Sequence, residues 1–382
     1  MNCPTSAVHS HPGIPMVTVD LDRWHMRRAL ELAANGQGCV EPNPMVGCVI
    51  AQGAEIIGEG WHGRFGGPHA EVEALRLAGT RAAGAIMYVT LEPCSHFGKT
   101  PPCTKAVLAS GVKRVVIAMK DPFPQVAGAG AAELHRGGVE VHFGVLELEA
   151  RRLNAPYLKL LATGRPWIIA KWAMSLDGKM ATAGGESRWI SNEQSRKVVH
   201  KLRGRMDAII VGRETAIKDD PMLTARPPGP RTALRIVLDT QASLSPDSQL
   251  ARTTAEAPVL VAVGKGASAA NCLRLIDAGC EVFECAGETH VDRLHWLLEE
   301  LGRRRMTNVL VEGGGRVLGS LLDARQVDEV HVFIAPKLIG GTQARIPFAG
   351  EGIAEMAEVL QIDATKVETL GSDVYVHGRI KK

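Results

Sequence analysis

The chain has 382 residues, 45% hydrophobic and 4% aromatic, with 44 basic against 41 acidic side chains and a net charge of +3. That length exceeds one typical domain, so two are expected. The near-balance of charge argues against a nucleic-acid or anionic-membrane partner, and no stretch has the apolar length of a membrane span.

Residues 1–19 hold Pro, His and Ser without a periodic apolar face, and they lack the basic start and apolar middle of an export signal. They read as a flexible leader ahead of a cytoplasmic protein. From Asp20 helical and strand patterns alternate. An amphipathic helix ends at Gly36, two short strands meet around Gly53, and GPHAEVEALRLAG is a helix with Pro68 at its start and Gly79 past its end. IMYVTLEP, RVVIAMKD and VEVHFGV are β-branched strand candidates, with CTKAVLASG and GAGAAELHRGG as helices between them. ELEARRLNAPYLKLLATGRP reads as one charged amphipathic helix stopped by Gly164 and Pro166. Past it the alternation restarts, with PWIIAKWAM, DAIIVG, LRIVLDT, PVLVAVG, EVFEC, NVLVEGGG and EVHVFIAP as strands and EQSRKVVHKLRG and VDRLHWLLEELGRR as helices. The two halves share no motif. Two different α/β domains are expected: 20–145, a connecting helix and linker over 146–165, and 166–382.

The stretch EPCSHFGKTPPC, residues 92–103, frames a loop with Cys94 and Cys103. With eight cysteines in the chain and no export signal, a disulfide is disfavoured, leaving metal ligation or plain burial. His69 in GPHAEVEAL completes a set of one imidazole and two thiolates suited to zinc. Three protein ligands leave a position for water, whose pKa the metal lowers, and Glu71 would shuttle the proton. Residues two apart do not share a helix face, so His69 should stand at the mouth of its helix with Glu71 in the first turn. Cys103 should open the next helix, where the positive end favours a thiolate. A fourth ligand from His96 would leave no place for water, and His96 is left out.

H-A-E followed by P-C…C matches the zinc deaminase pattern, except that eight residues separate the cysteines instead of two. Together with EPNPMVGCVI, GEGWHGRFGGPHAE and DPFPQVAGAG, the stretch closely resembles the pyrimidine deaminase domain of the bifunctional riboflavin-biosynthesis deaminase-reductases. The resemblance implies a cytidine-deaminase-like three-layer α/β domain, one zinc ion per chain, and a diaminopyrimidinone substrate bearing a ribose 5-phosphate. It places Asn43, His62 and Lys99 at the substrate.

In the second half, KWAMSLDGK and the string DAIIVGRETAIKDDPMLTAR read by themselves as strands, a turn at Asp177–Gly178 and a polar loop. NVLVEGGGRVLGSLL runs a strand through three glycines into a helix, a geometry that can face a phosphate. With GESRWIS, these segments resemble the reductase domain of the same family, which is similar in fold to dihydrofolate reductase and uses NADPH. The resemblance assigns Ala173, Trp189, Thr215, Asp219 and the run Gly314, Gly315, Arg316, Val317, Leu318, Gly319 and Ser320 to the cofactor. It assigns Ser187, Arg203, Leu223, Arg226 and Glu312 to the substrate, with the two arginines as phosphate clamps. Lys171 or Asp177 would assist opening or protonation of the ribose. Cys39, Cys48, Cys272, Cys280 and Cys285 read as packed free cysteines. The alternative to a two-step enzyme is a deaminase acting on another nucleobase or on nucleic acid, with an unrelated appendage; few aromatics and near-neutral charge speak against it. A homo-oligomer is expected because soluble enzymes commonly form one.

Overall fold

The β-branched runs lie at the centre of two sheets, and the amphipathic segments cover them. The computed structural model describes residues 18–97, 101–123 and 128–381. Lys99 and most of the expected leader lie outside those residues. The chain divides into two compact units, the first holding Pro44–Asn154 and the second Ala155–Lys382, with Met1–Val40 grouped in the first and Glu41–Asn43 in the second.

The first unit runs α1 (Thr18–Ala34), β1 (Gly47–Gln52), β2 (Glu55–Trp61), α2 (Ala70–Ala78), β3 (Ile86–Leu91), α3 (Cys103–Ser110), β4 (Arg114–Met119), α4 (Ala129–Arg136), β5 (Glu140–Phe143) and α5 (Glu147–Leu153). Its sheet order is β2-β1-β3-β4-β5, with β1 antiparallel to β2 and β3, and β3, β4 and β5 parallel. Strands β1, β3 and β4 are buried along nearly their whole length, the signature of a sheet covered on both faces. Cys48 and Ile50 of β1 and Met87 and Val89 of β3 form one core with Ala70 and Ala74 of α2, Val107 of α3 and Leu134 of α4. Helices α1 and α5 lie against the sheet as well, giving three layers.

The expected single helix over 147–165 is two. Asn154 ends α5, and its side chain turns inward to accept from the Met45 N–H at 2.8 Å and donate to the Met45 carbonyl at 2.9 Å. Pro156 then sits in the first turn of a new helix, where its missing N–H costs nothing.

That helix, α6 (Ala155–Thr163), opens the second unit. There follow β6 (Trp167–Ser175), α7 (Glu193–Arg203), β7 (Ala208–Gly212), α8 (Arg213–Asp219), β8 (Leu234–Leu238), α9 (Gln249–Arg252), β9 (Val259–Gly264), α10 (Ala269–Asp277), β10 (Glu281–Cys285), α11 (His290–Arg303), β11 (Asn308–Glu312), α12 (Gly315–Asp323), β12 (Glu329–Ala335), β13 (Ile362–Leu370) and β14 (Asp373–Ile380). The sheet order is β10-β9-β8-β7-β11-β6-β12-β14-β13, parallel throughout except that β14 runs antiparallel to β12 and β13. One face is packed by α11 and α12, and the other buries Leu202, Leu244, Leu250 and Leu275. No described helix is long and apolar enough to cross a membrane.

Arg235 in β8 is a fully buried cation whose hydrogen bonds, among the described residues, go to carbonyls and a hydroxyl. Its guanidinium donates to the Met222, Thr253 and Ala257 carbonyls and to Thr253 Oγ1, and so stitches the loops below β8 and β9. Arg235→Met fills the space but leaves those buried acceptors unpaired, and should lower stability by on the order of 3 kcal/mol, read from the urea midpoint of the second unit's transition.

Candidate functional sites

His69 is the N-cap of α2, with extended backbone (φ −77°, ψ 160°), and Glu71 is the second helical residue. Cys103 is the first residue of α3, after Pro102. Cys94 follows the end of β3, and its loop is held from below by Glu92. That carboxylate is buried and accepts the N–H groups of Gly128 and Ala131 at the start of α4. Gly130 lets α4 come against the Pro93 carbonyl, a space any Cβ would fill.

The two helix starts and the Cys94 loop converge. His69 Nδ1 lies 3.1 Å from Cys103 Sγ and 3.5 Å from Cys94 Sγ, and all three ligand atoms lie within 4.8 Å of one another. Tetrahedral zinc with Zn–S near 2.3 Å and Zn–N near 2.0 Å sets its ligand atoms roughly 3.5 Å apart, so the donor set and spacing fit that ion. The Cys103 N–H points at Cys94 Sγ at 3.4 Å. Hydrogen bonding from Cys103, despite burial, lowers the Cys94 thiol, while its Cys103 partner is pushed up by the same contact. This is the only such group among the described residues; His96 is exposed and stands outside it.

Glu71 is buried, its carboxyl is raised by burial, and it touches Cys103. His62 is buried too, with Nδ1 3.0 Å from the Pro68 carbonyl and its ring edge-on to His69 at 5.4 Å. Asn43 is half-buried in the bend before β1.

The second unit holds two neighbouring features. Where the end of β11 lies beside the middle of β6, Glu312 is buried between two cations. Arg203 forks onto it through Nε at 2.6 Å and Nη2 at 2.9 Å, and Lys171 Nζ stands at 3.5 Å. Burial would raise the Glu312 carboxyl, but Arg203 and Lys171 outweigh it and hold it at about 2. Burial lowers Lys171. The Arg203 fork thus grips Glu312 instead of standing open as a phosphate clamp. Arg226 is exposed at the surface.

Beside this cluster a cavity of about 630 Å³ opens at the start of α12. Gly313 and Gly314 take φ of 80° and 75°, a left-handed turn that glycine allows and that carries the chain from β11 into the start of α12 at the cavity wall. Thr215, Gly314, Gly315, Arg316, Val317 and Ser320 line it. Leu318 and Gly319, in the same expected run, do not. A helix shows one face to a cavity, so Leu318 enters the core and Gly319 packs on the backbone of Ala349 and Gly350. Leu223 is likewise a core side chain, buried with Val237 and Leu250. Asp177 is a turn residue: it accepts from Ser175 Oγ at 2.5 Å and from the Gly340 N–H at 2.6 Å, and these bonds hold it at about 2. Trp189 is exposed under the Arg196 guanidinium, Ala173 is half-buried on β6, and Ser187 Oγ donates to Asp219 at 3.3 Å. None of these four lines the cavity.

Sequence reasoning did not reach part of the wall. The segment around Ala344–Ala349 crosses α12, its Ala349 N–H donating to the Gly315 carbonyl, and Thr240 and Gln241 follow β8. Cys285, expected as packing, also borders the cavity.

A thiolate–imidazole cluster with a buried glutamate in one unit, and a glycine-cradled cavity beside a buried ion cluster in the other, define a zinc deaminase joined to a nucleotide-dependent reductase. The comparisons agree. Residues 19–119 match the cytidine and deoxycytidylate deaminase zinc-binding region, and residues 166–376 match the RibD C-terminal domain. The riboflavin biosynthesis protein RibD of Aquifex aeolicus is 42% identical over 358 residues, covering 94% of this chain and 98% of that one. The Escherichia coli protein of the same name is 41% identical over 369 residues, covering 93% and 98%. The RibD structure from Acinetobacter baumannii superposes with a TM-score of 0.84 at 36% identity over 95% of this chain and 100% of the other. The chain belongs to the RibD family, the bifunctional deaminase-reductases of riboflavin biosynthesis, with zinc and NADPH as cofactors.

Cys94→Ser, Cys103→Ser and His69→Asn should each reduce bound zinc from one per chain to a small fraction, measured by plasma mass spectrometry after dialysis. Glu71→Gln should keep it, because Glu71 is not among the ligand atoms.

Proposed function

We propose that this chain deaminates a diaminopyrimidinone bearing a ribose 5-phosphate at the His69–Cys94–Cys103 site, then reduces the ribosyl side chain to ribityl at the α12 cavity. The Thermotoga maritima protein, 34% identical with a TM-score of 0.81, is described as a diaminohydroxyphosphoribosylaminopyrimidine deaminase and 5-amino-6-(5-phosphoribosylamino)uracil reductase. The observation that carries the first step is the buried Glu71 beside the three ligands.

His69, Cys94 and Cys103 would hold the zinc ion, which would supply a water of lowered pKa. Glu71 would accept a proton from the attacking water and return it to the departing amino group, a role for which a carboxyl raised by burial is suited. Burial of His62 against His69 fits a substrate-side position, with Asn43 and Lys99 as the other contacts.

For the second step, NADPH supplies the hydride. The cavity glycines and Thr215, with Ala173, Trp189 and Asp219, hold the dinucleotide. Ser187, Arg226 and the backbone at Leu223 contact the substrate. Glu312 and Lys171 face the sugar: burial keeps Lys171 poised to give up a proton as the ribose ring opens, and Arg203 keeps Glu312 charged and oriented. Small-molecule chemistry and reduced thiolate ligands fit a cytoplasmic enzyme. A homo-oligomer belongs to the same reading: β13 is an edge strand exposed over residues 365–369, and an antiparallel copy centred on Val367 would set Lys366 opposite Glu368.

Glu71→Gln should lower ammonia release at least 100-fold while the variant still oxidises NADPH with deaminated substrate, as expected for loss of a general acid–base of roughly 10²–10⁴-fold effect. Lys171→Met should show the reverse pattern, releasing ammonia normally and stalling before hydride transfer. Coupled ammonia and 340 nm assays, about the wavelength at which NADPH absorbs, separate the two; a variant that loses both activities would remove the two-site assignment.

A further inference from the structure

We propose that Arg213 binds the 2′-phosphate of the dinucleotide and so sets the preference for NADPH over NADH. The inference rests on the reading that the α12 cavity holds the dinucleotide, and it assigns the residue that reads its distinguishing group.

On that reading the sheet order gives the cofactor a direction. Lys171 on β6 and Glu312 on β11 mark the reacting end, and α12 begins directly after β11. With the pyrophosphate at the start of α12 and the nicotinamide toward Lys171, the adenosine half extends the other way, over the ends of β7, β8 and β9. The cavity does extend there, lined by Arg213, Thr240 and Gln241 on one side and by Ala262 and Val263 beyond.

At such a strand end an acidic residue reads the ribose 2′-hydroxyl of NAD, whereas an arginine accommodates the 2′-phosphate of NADP. Asp239 follows β8 at that place but is withdrawn. It is fully buried, accepts the Leu244 N–H at 2.7 Å and is bonded by Ser243 Oγ at 3.1 Å. Arg213 lies across it, with Nε 3.9 Å from the Asp239 carboxylate and 2.5 Å from Ser243 Oγ. Tethered at Nε, the guanidinium is fixed in direction, while Nη1 and Nη2 carry no protein hydrogen bond among the described residues. The side chain is 51% exposed at the cavity wall.

The other arginines on the wall are engaged elsewhere. Arg316 and Arg345 both pair with Glu214, at 3.4 and 3.0 Å. Arg293 donates to the Gly287 and Glu288 carbonyls at 3.1 and 2.7 Å, which ties down the loop ahead of α11. A planar fork held at one nitrogen and open at the other two matches a phosphate dianion in geometry and charge.

The test is calorimetric titration of the zinc-loaded full chain with NADPH, NADH, 2′,5′-ADP and 5′-AMP, in wild type, Arg213→Gln and Arg213→Lys. Wild type should prefer each 2′-phosphorylated ligand over its counterpart. Arg213→Gln should lose roughly tenfold or more affinity for NADPH and 2′,5′-ADP, the scale of one charge-assisted contact, while NADH and 5′-AMP bind as in wild type. Arg213→Lys, which keeps the charge but not the fork, should fall between. Unchanged NADH binding also reports that the variant is folded. If wild type prefers NADPH and Arg213→Gln keeps that preference, or weakens all four ligands equally, this inference is wrong and the cofactor site stands. If wild type binds no dinucleotide, the reading of the cavity fails and the inference with it.

Discussion

The first site depends on how closely α2 can lie on β2. Gly58 and Gly60 face that helix from the strand, and a Cβ on Gly60 would run into the Ala70 carbonyl and come within 2.6 Å of the Ala74 nitrogen. Only bare backbone permits this approach, which presses the first turn of α2 into the sheet and carries His69 and Glu71 with it. Gly130 performs the same service for α4 against Pro93, and Glu92 caps that helix from the Cys94 loop. The ligand set is therefore positioned by backbone-to-backbone contacts, which leave little room to drift, rather than by packing of flexible side chains.

The second unit builds its chemistry differently. At its centre is an ion cluster in which Glu312 is compensated on two sides, by the Arg203 fork and by Lys171. Charges taken out of water are costly unless paired and hydrogen-bonded, and removing one partner strands the others. The cluster is thus rigid and electrostatically specified before any ligand arrives. The cavity next to it depends on glycine, through Gly313 and Gly314 at positive φ and Gly315 as the first residue of α12.

Much of this was legible in the sequence, for identifiable reasons. The convergence of His69, Cys94 and Cys103 could be read because metal chemistry restricts residue types, and because His69, Glu71 and Cys103 fall at helix starts announced by Pro68 and Pro102. The parallel strands were visible as β-branched runs. The hairpin β13–β14 was not: its turn at Gly371–Ser372 is short, and half of its residues are solvent-facing, which blurs the apolar alternation. The break at Asn154 was hidden because the helical pattern continues on both sides, and only a partner 109 residues away, Met45, explains it. Motif runs overstated the reductase site, since a consecutive stretch such as Gly314–Ser320 must divide between cavity and core once it coils. The contact of Arg203 with Glu312 needed the fold, because nothing in either local sequence points to the other.

The most direct test of the central account, one chain with two separate chemistries in fixed order, is mass spectrometry of the product formed by the wild-type enzyme with NADPH withheld and then added. The account predicts that without NADPH the pyrimidine loses its amino group as ammonia while the sugar stays closed. Adding NADPH should then convert that species to the ribityl compound. Ammonia release that requires NADPH, or a substrate that keeps its amino group under both conditions, would contradict it.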